Sequence, residues 1–308
     1  MSITSVSRVN PTRPGGNRRA RPARSEARRR HVPYLLLLPG LLWLGVFFVV
    51  PIVTLLGTST QTRVPGGEIG EFTQTLRLAN YWDALSRYQE HFGRSVLYAG
   101  VATLAALIIG YPLAYMIAFR AGRWRNVLLV LVIAPFFCSF ILRTYAWRQI
   151  LADEGTVVRT LKWMHLMPEG ASLTATSFAV VCGLTYNFLP FMTLPVYASL
   201  ERIDHRLLEA GYDLYGGPWT VLRRVTFPLS MPGVVAGTLL TFIPAAGDFV
   251  NAGLLGTTRT QMIGNVIESR FVDLNDYATA ACLSFLMMAV ILALVLVYIR
   301  RTGTEELV

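Results

Sequence analysis

The chain has 308 residues, of which 53% are hydrophobic and only 15% are charged, and its formal net charge is +10. Soluble domains carry about 25% charged residues. Because the apolar residues here are also clustered in long runs, the composition excludes an ordinary soluble domain and predicts a polytopic membrane protein. The positive charge does not indicate a nucleic-acid partner, since nine arginines lie in the first 30 residues, where a basic tail sets membrane orientation.

The N-terminal residues 1–32 are rich in Arg, Pro and Ser and contain almost no large apolar side chain. Such a segment buries too little apolar surface to offset the entropy of ordering, so we expect a disordered, basic cytoplasmic tail. The apolar run that follows exceeds the core of a secretory signal peptide, and no small-x-small cleavage motif follows it directly. We therefore expect an uncleaved first span.

Six apolar segments are long enough to cross a membrane, since a helix needs about 20 apolar residues to span ~30 Å of hydrocarbon. The third segment is interrupted by Pro135 and Arg143, and the fifth by Pro244 and by Gly247 with Asp248. The sequence predicts an all-α polytopic membrane protein, with a domain over residues 33–300 and a short C-terminal tail at 301–308. The predicted spans are residues 33–57, 95–119, 127–150, 173–197, 229–255 and 277–299.

The placement of arginine and lysine predicts the orientation of these spans. With the N-terminus inside, the cytoplasmic segments carry 18 of the 28 Lys and Arg residues, and half of those 18 lie in the tail. The short loop 120–126 is dense in arginine and contains no acid, which favours the same orientation. We expect both termini in the cytoplasm, with exterior connections at 58–94, 151–172 and 256–276.

The residues that usually carry enzyme chemistry are scattered. The four histidines lie outside the predicted spans, and the three cysteines sit in apolar runs with neither a disulfide framework nor a CxxC metal pair. The single lysine, Lys162, is not part of the GxxxxGK[ST] pattern of a phosphate-binding loop. We expect no catalytic residue, no metal site and no cofactor in this chain, so that any ATP–Mg would be bound by a separate subunit.

The polar connection between the fourth and fifth spans, residues 199–228, lies on the predicted cytoplasmic side. An amphipathic helix is indicated over 203–215, with Asp204 as N-cap, Gly216 as its end and Pro218 as the start of the next helix. Two short helices joined at a bend fit a groove on a partner, although a capped surface loop is the simpler interpretation for an arbitrary membrane protein. The apolar positions expected on one face are Ile203, Leu207, Leu208, Gly211 and Leu214.

The residues from Glu209-Ala210-Gly211 to Phe227-Pro228 resemble the EAA loop of type I ABC importer permeases. Two positions depart from that pattern. Gly211 stands where a second Ala is usual, and Tyr215 stands where Gly is usual, with two glycines directly after it, so the helix break is shifted by a residue. The resemblance implies that this loop contacts an ATPase through Glu209, Ala210, Gly211, Asp213, Gly216, Gly217, Arg224 and Pro228.

Further segments are similar to the spermidine/putrescine group of these permeases: residues 143–147, 227–237, 243–250 and 262–267. The resemblance extends over residues 95–299 and implies the type I ABC importer permease fold in a bacterial inner membrane. It also implies a second homologous permease, two copies of a cytoplasmic ABC ATPase and a periplasmic or lipid-anchored solute-binding protein. The chain would then form half of the path for a small cationic solute such as putrescine or spermidine.

Asp248 is the first candidate for contact with such a solute. An acid at membrane depth costs about 2.5–3.5 kcal/mol on insertion scales and by default marks a functional site. Asp248 follows Gly247 at an expected helix break, where irregular backbone lines a cavity. The simpler interpretations are a pair with Arg143 or a place at the exterior interface. Residues expected to stack on or hydrogen-bond to the solute, or to pack between helices, are Tyr145, Trp147, Tyr186, Asn187 and Phe249.

Three alternatives remain open from the sequence. The same kind of importer would serve another solute, such as an opine, an aminophosphonate or ferric iron. An ion-coupled secondary transporter would show inverted repeats and several intramembrane acids, and neither is evident. A receptor or scaffold without transport activity would leave the loop at 199–228 without a partner.

Overall fold

The computed structural model describes residues 32–64, 70–168 and 170–302. The basic tail expected over residues 1–32 and the last six residues of the chain therefore lie outside the described residues, except for Val32. The chain divides into two units, with the boundary in the sequence between Thr54 and Leu55. The first unit contains α1 (Val32–Leu44), a π-helical turn (Gly45–Val49) and the start of α2 (Val50–Ser59), which together form the first predicted span.

The second unit is built almost entirely of helices. A short antiparallel hairpin, β1 (Gln61–Arg63) and β2 (Phe72–Gln74), precedes them, with Thr62 opposite Thr73. The helices are α3 (Ala79–Tyr115), α4 (Arg125–Ile133), α5 (Phe140–Leu151), α6 (Thr156–Trp163), α7 (Ser177–Glu201), α8 (His205–Tyr215), α9 (Pro218–Val221), α10 (Phe227–Leu229), α11 (Met231–Ala246), α12 (Val250–Leu255), α13 (Ile263–Glu268) and α14 (Tyr277–Thr302).

Single tight or wide turns extend several of these helices. The π-helical turns of the second unit are Met116–Arg120, Leu222–Thr226 and Ser269–Asp273, and the 3-10 turns are Gly122–Trp124 and Ala134–Phe137.

Four helices in the described part of the chain are long and apolar enough to cross a membrane, and the number is six if each of two bent pairs counts as one span. One pair, Gly122–Phe137 with Phe140–Trp163, is bent by 97°, and the other, Pro218–Leu229 with Met231–Ala246, by 67°. This confirms the predicted all-α polytopic fold. The four single spans are Leu37–Ser59, Ala79–Arg120, Ser177–Glu201 and Tyr277–Arg301.

The second span begins much earlier than the sequence predicts. We expected a loop up to residue 94, whereas α3 starts at Ala79. The reason is a set of side chains at four-residue spacing, Ala84, Tyr88 and Phe92, which are buried in the core and hold this polar stretch as helix.

The third predicted span, 127–150, is not one straight helix. Cys138 and Ser139 are extended, so the chain turns sharply between Phe137 and Phe140. The fifth predicted span also divides. Its helix α11 ends at Ala246, and α12 starts only at Val250, so the break expected at Gly247 and Asp248 is confirmed.

Helix α7 lies at the centre of this unit, packed against α3 and α11. Glycines permit the close approach, as is usual between membrane helices. A Cβ atom on Gly233 would lie 2.5 Å from Ser199 Cβ, and one on Gly237 would lie 2.9 Å from Met192 Sδ. The middle of the bundle is therefore tightly packed, and this positions the polar side chains described below.

Candidate functional site

The loop at 199–228, hereafter the coupling loop, has the local structure that its sequence predicts. Asp204 Oδ1 accepts a hydrogen bond from Arg206 N at 2.9 Å and caps α8. Gly216 ends that helix in the left-handed conformation, with φ of 68°, and its N–H donates to Tyr212 O at 2.8 Å. Pro218 is the first residue of α9. The predicted N-cap and end of α8 and the predicted start of α9 are thus confirmed.

The apolar face of α8 is narrower than predicted. A Cβ atom on Gly211 would lie 3.3 Å from both Val221 and Val225, so the glycine lets α8 lie directly on the next two turns. Leu207 and Leu214 were expected on this face, but they are exposed, because the inward direction is set by Leu208 and Gly211. The inward-facing apolar residues of the loop include Ile203, Leu208 and Gly211.

The opposite face of the coupling loop combines acids with large apolar side chains. Glu209, Ala210 and Asp213 are exposed, and so are Leu214 at 76% and Trp219 at 72%. Of the other residues singled out in the sequence, Gly216, Arg224 and Pro228 are exposed and Gly217 is half-buried. Leu214 and Trp219 were not predicted as surface residues, although a tryptophan directly after a helix-starting proline was a usable signal.

The coupling loop is fixed to the ends of the spans. The rings of Phe119 and His205 meet edge to face with centroids 5.8 Å apart, which joins α8 to the end of α3. At the start of α11, Tyr111 and Ser230 share a hydrogen bond of 3.0 Å between their hydroxyl oxygens. The first contact links the loop to α3, and the second links α3 to the start of α11 just after the loop.

The second group of predicted residues lies at the break in the fifth span. Asp248 is only 8% exposed, and its carboxylate accepts two hydrogen bonds from Asn251, one from the backbone N at 2.8 Å and one from Nδ2 at 3.1 Å. The first of these bonds satisfies a backbone N–H in the first turn of the short helix α12, whose N-cap is Phe249. The pair with Arg143 considered above is not formed, and within the described residues Asp248 has no ion pair.

The hydrogen bonds continue from Asn251 into two neighbouring helices. Asn251 Oδ1 accepts from Asn187 Nδ2 at 2.9 Å, and Thr144 Oγ1 lies 3.4 Å from the same oxygen and 3.3 Å from Asn187 Nδ2. Thr144, Asn187 and Asn251 are fully buried. We call Asp248, Asn251, Thr144 and Asn187 the polar chain. It joins α5, α7 and α12, and the sequence analysis identified two of its four members.

Two glycines leave room for this arrangement. A Cβ atom on Gly183 would lie 2.7 Å from Asn251 Oδ1 and 2.4 Å from Leu255 Cδ1. A Cβ atom on Gly264 would lie 2.6 Å from the backbone oxygen of Gly247. In addition, Asn265 Nδ2 donates to the backbone oxygen of Phe249 at 2.7 Å. The break is therefore held by α7 and by α13.

The aromatic candidates divide into two sets. Trp147 and Tyr186 are half-buried and their rings contact each other, with centroids 5.3 Å apart. Tyr145 and Phe249 are instead exposed and are not part of this pair. The structure thus brings together Trp147 and Tyr186, each close in sequence to a member of the polar chain.

Arg143 lies at the bend of the third span. Its guanidinium carbon is 5.7 Å from the ring centre of Phe136 and 5.6 Å from that of Phe140, one ring on each side of the bend. Its buried Nε and Nη1 atoms have no hydrogen-bond partner among the described residues. The interaction that the structure gives Arg143 is therefore with aromatic rings and not with Asp248.

Comparison with known proteins places the chain among transport proteins. A family described as "Binding-protein-dependent transport system inner membrane component" matches residues 106–302. The spermidine/putrescine transport system permease protein PotB of Escherichia coli K12 is 35% identical over 261 residues, which cover 84% of this chain and 94% of PotB. The inner membrane ABC transporter permease protein YdcU of the same organism is 30% identical over 292 residues, or 89% and 90% of the two chains.

Solved structures agree on the fold. A bacterial ABC transporter that imports the acidic polysaccharide alginate matches with a TM-score of 0.64 and 18% identity, over 90% of this chain and 96% of that one. The MetNI methionine ABC transporter matches with a TM-score of 0.53 and 17% identity, over 69% and 93% of the two chains. At these identities the likeness establishes the architecture of an ABC importer permease.

Proposed function

Because the chain belongs to the family of binding-protein-dependent transport system inner membrane components, we propose that it forms half of the translocation path for a small cationic solute, a polyamine such as putrescine or spermidine. It is a multi-pass inner-membrane permease and not an enzyme. The observation that carries the proposal is a buried carboxylate, Asp248, at a helix break, with no cationic partner among the described residues.

The chemistry around Asp248 favours a cation. The carboxylate accepts two hydrogen bonds from Asn251, and two carboxylate oxygens offer about four lone-pair sites. Nearby in the polar chain, the buried Oδ1 of Asn187 has no partner among the described residues. A primary ammonium group brings three donors and no acceptor, so it matches an environment with spare acceptors and a negative charge.

The aromatic pair suits the rest of a polyamine. Trp147 lies one turn after Thr144 on α5, and Tyr186 directly precedes Asn187 on α7. Indole and phenol rings attract ammonium groups through their faces and also pack against methylene chains. The similarity to PotB supports the same class of solute. The distant structural neighbours import alginate or methionine, so the proposal rests on Asp248 and on PotB rather than on the fold.

The test is uptake of labelled putrescine and spermidine by the complete transporter with Asp248→Asn. We expect KM to rise by about tenfold or more, equivalent to ~1.4 kcal/mol of lost attraction, because the amide keeps the shape but not the charge. The matched control is Asp153→Asn, an exposed acid outside the polar chain, which should leave KM unchanged. An Asp248→Asn transporter with wild-type KM and rate would contradict the proposal.

We further propose that the coupling loop docks on a separate ABC ATPase that binds ATP–Mg. In this arrangement two ATPase copies, a second homologous permease and a periplasmic or lipid-anchored binding protein complete the importer. ATP-driven closure of the ATPase pair would pull the loops together and move the spans. The capped, exposed helix with Glu209 and Asp213 beside Leu214 and Trp219 supports this, since an acid and apolar surface of this kind fits a groove on a partner.

A further inference from the structure

We infer that Asn251 and Thr144 are positioning residues for the Asp248 carboxylate, held through the polar chain that ends at Asn187. The inference rests on the proposed contact between Asp248 and the solute. It adds Asn251 on α12 and Thr144 on α5. Both side chains are fully buried, so we expect them to act through Asp248 and not by touching the solute.

The polar chain has a single direction. An ionised carboxylate only accepts hydrogen bonds, so the 3.1 Å contact to Asp248 must use Nδ2 of Asn251. This leaves Oδ1 of Asn251 as an acceptor, and Asn187 Nδ2 donates to it at 2.9 Å. Asn187 Oδ1 is then left at the end without a partner in the described structure. The amide donors therefore follow one direction, from Asn187 to Asn251 and from Asn251 to Asp248.

Thr144 lies within hydrogen-bonding distance of both asparagines. Its hydroxyl oxygen lies 3.3 Å from Asn187 Nδ2, from which it accepts, and its hydrogen can go to Asn251 Oδ1 at 3.4 Å or to Phe140 O at 3.1 Å. Hydrogen bonds thereby connect α5, α7 and α12 to the carboxylate of Asp248. Because these groups are buried, water does not replace a lost partner, and removal of one member frees Asp248 to turn.

A purely structural role for the same bonds makes a different prediction. Polar side chains between membrane helices often serve only to join them. In that case removing Asn251 or Thr144 lowers the stability of the complex and affects uptake equally whether or not residue 248 carries a charge. A positioning role makes the effect on KM depend on the carboxylate.

The experiment is a double-mutant cycle measured as putrescine uptake by the complete transporter reconstituted with its ATPase and binding protein. Asn251→Leu should raise KM about tenfold and Thr144→Val about threefold. Thr144→Ser should have the wild-type KM, because serine keeps the hydroxyl group that valine lacks. In the Asp248→Asn background the same substitutions should change KM by less than about twofold. Thr103→Val is the matched control, since Thr103 is buried but donates only within its own helix.

The outcomes separate the inference from the proposed function. If Asp248→Asn leaves KM unchanged, the solute contact itself is wrong. If Asp248→Asn raises KM but the effects of Asn251→Leu and Asp248→Asn are additive, the positioning role is overturned and the polar chain is structural. Should Asn251→Leu fail to assemble, Thr144→Val, which exchanges only a hydroxyl for a methyl, decides by the same additivity criterion.

Discussion

Gly183 sets how closely α12 can lie against α7. It faces Asn251 and Leu255, and a methyl group there would meet both at distances no real Cβ atom tolerates. A side chain at residue 183 would crowd the amide oxygen of Asn251 that accepts the hydrogen bond from Asn187. A glycine four residues before Asn187 is thus as much a part of the polar chain's geometry as the residues that make the bonds.

We predict that Gly183→Ala displaces the side chains of Asn251 and Leu255 and destabilises the transporter by about 1–3 kcal/mol, the usual cost of overpacking a filled interior. Thermal unfolding of the detergent-solubilised complex measures this, together with putrescine KM, which should rise as for Asn251→Leu. Gly100→Ala is the matched control, because a methyl group at Gly100 in α3 meets no atom within 4 Å. An equal loss of stability in both variants would refute the steric explanation.

At this scale the sequence reveals part of the site. Asp248 and Asn187 can be singled out because a charged or amide side chain in an apolar run is costly and conspicuous. Thr144 and Asn251 are not conspicuous, since threonine and a residue next to a helix break occur widely. Their importance arises from contacts between α5, α7 and α12, which no local pattern encodes.

The coupling loop shows how far local signals define an element. The N-cap at Asp204, the left-handed Gly216 and Pro218 at the start of α9 were predictable, because each depends on one residue and its immediate backbone. The direction in which α8 faces was only partly predictable, because it depends on Gly211 fitting against α9 and the following turn. An interruption of the third span at Pro135 was predicted, but its bend of 97° was not.

We predict that Glu209→Lys uncouples ATP hydrolysis from uptake. Glu209 lies on the exposed side of α8 and would meet the ATPase groove with its carboxylate, so a reversed charge should lower the number of solute molecules moved per ATP by about tenfold. The ratio is measured in proteoliposomes that contain the complete importer. Glu154→Lys, an exposed acid on the connection after α5, should leave the ratio unchanged. Normal transport by Glu209→Lys would exclude this residue from the contact.

For the whole molecule, the arrangement of charges and the coupling loop lead to one orientation. The composition and apolar runs were sufficient to predict six spans, but not that α3 would extend through residues assigned to a loop, since the burial of Tyr88 and Phe92 depends on distant helices. We propose that both termini and the coupling loop are cytoplasmic, because arginine-rich segments of membrane proteins favour the cytoplasmic side.

This orientation predicts how single cysteines react. With the native cysteines replaced by serine, Thr160→Cys on α6 should be labelled by a membrane-impermeant maleimide added outside intact spheroplasts. Leu214→Cys on α8 should react only after the membrane is opened, and less when the ATPase is bound. Both positions are exposed in the structure, so reactivity reports the side of the membrane rather than burial. Labelling of Leu214→Cys from outside would reverse the orientation.

The contact between α13 and the break in the fifth span has a mechanical consequence. Only a hydrogen atom fits between Gly264 and the backbone oxygen of Gly247, and Asn265 ties Phe249 to the same helix. We therefore expect α13 and the break in the fifth span to move together. A displacement of α13 is then expected to reach Asp248. A substitution that enlarges residue 264 would separate α13 from the break in the fifth span.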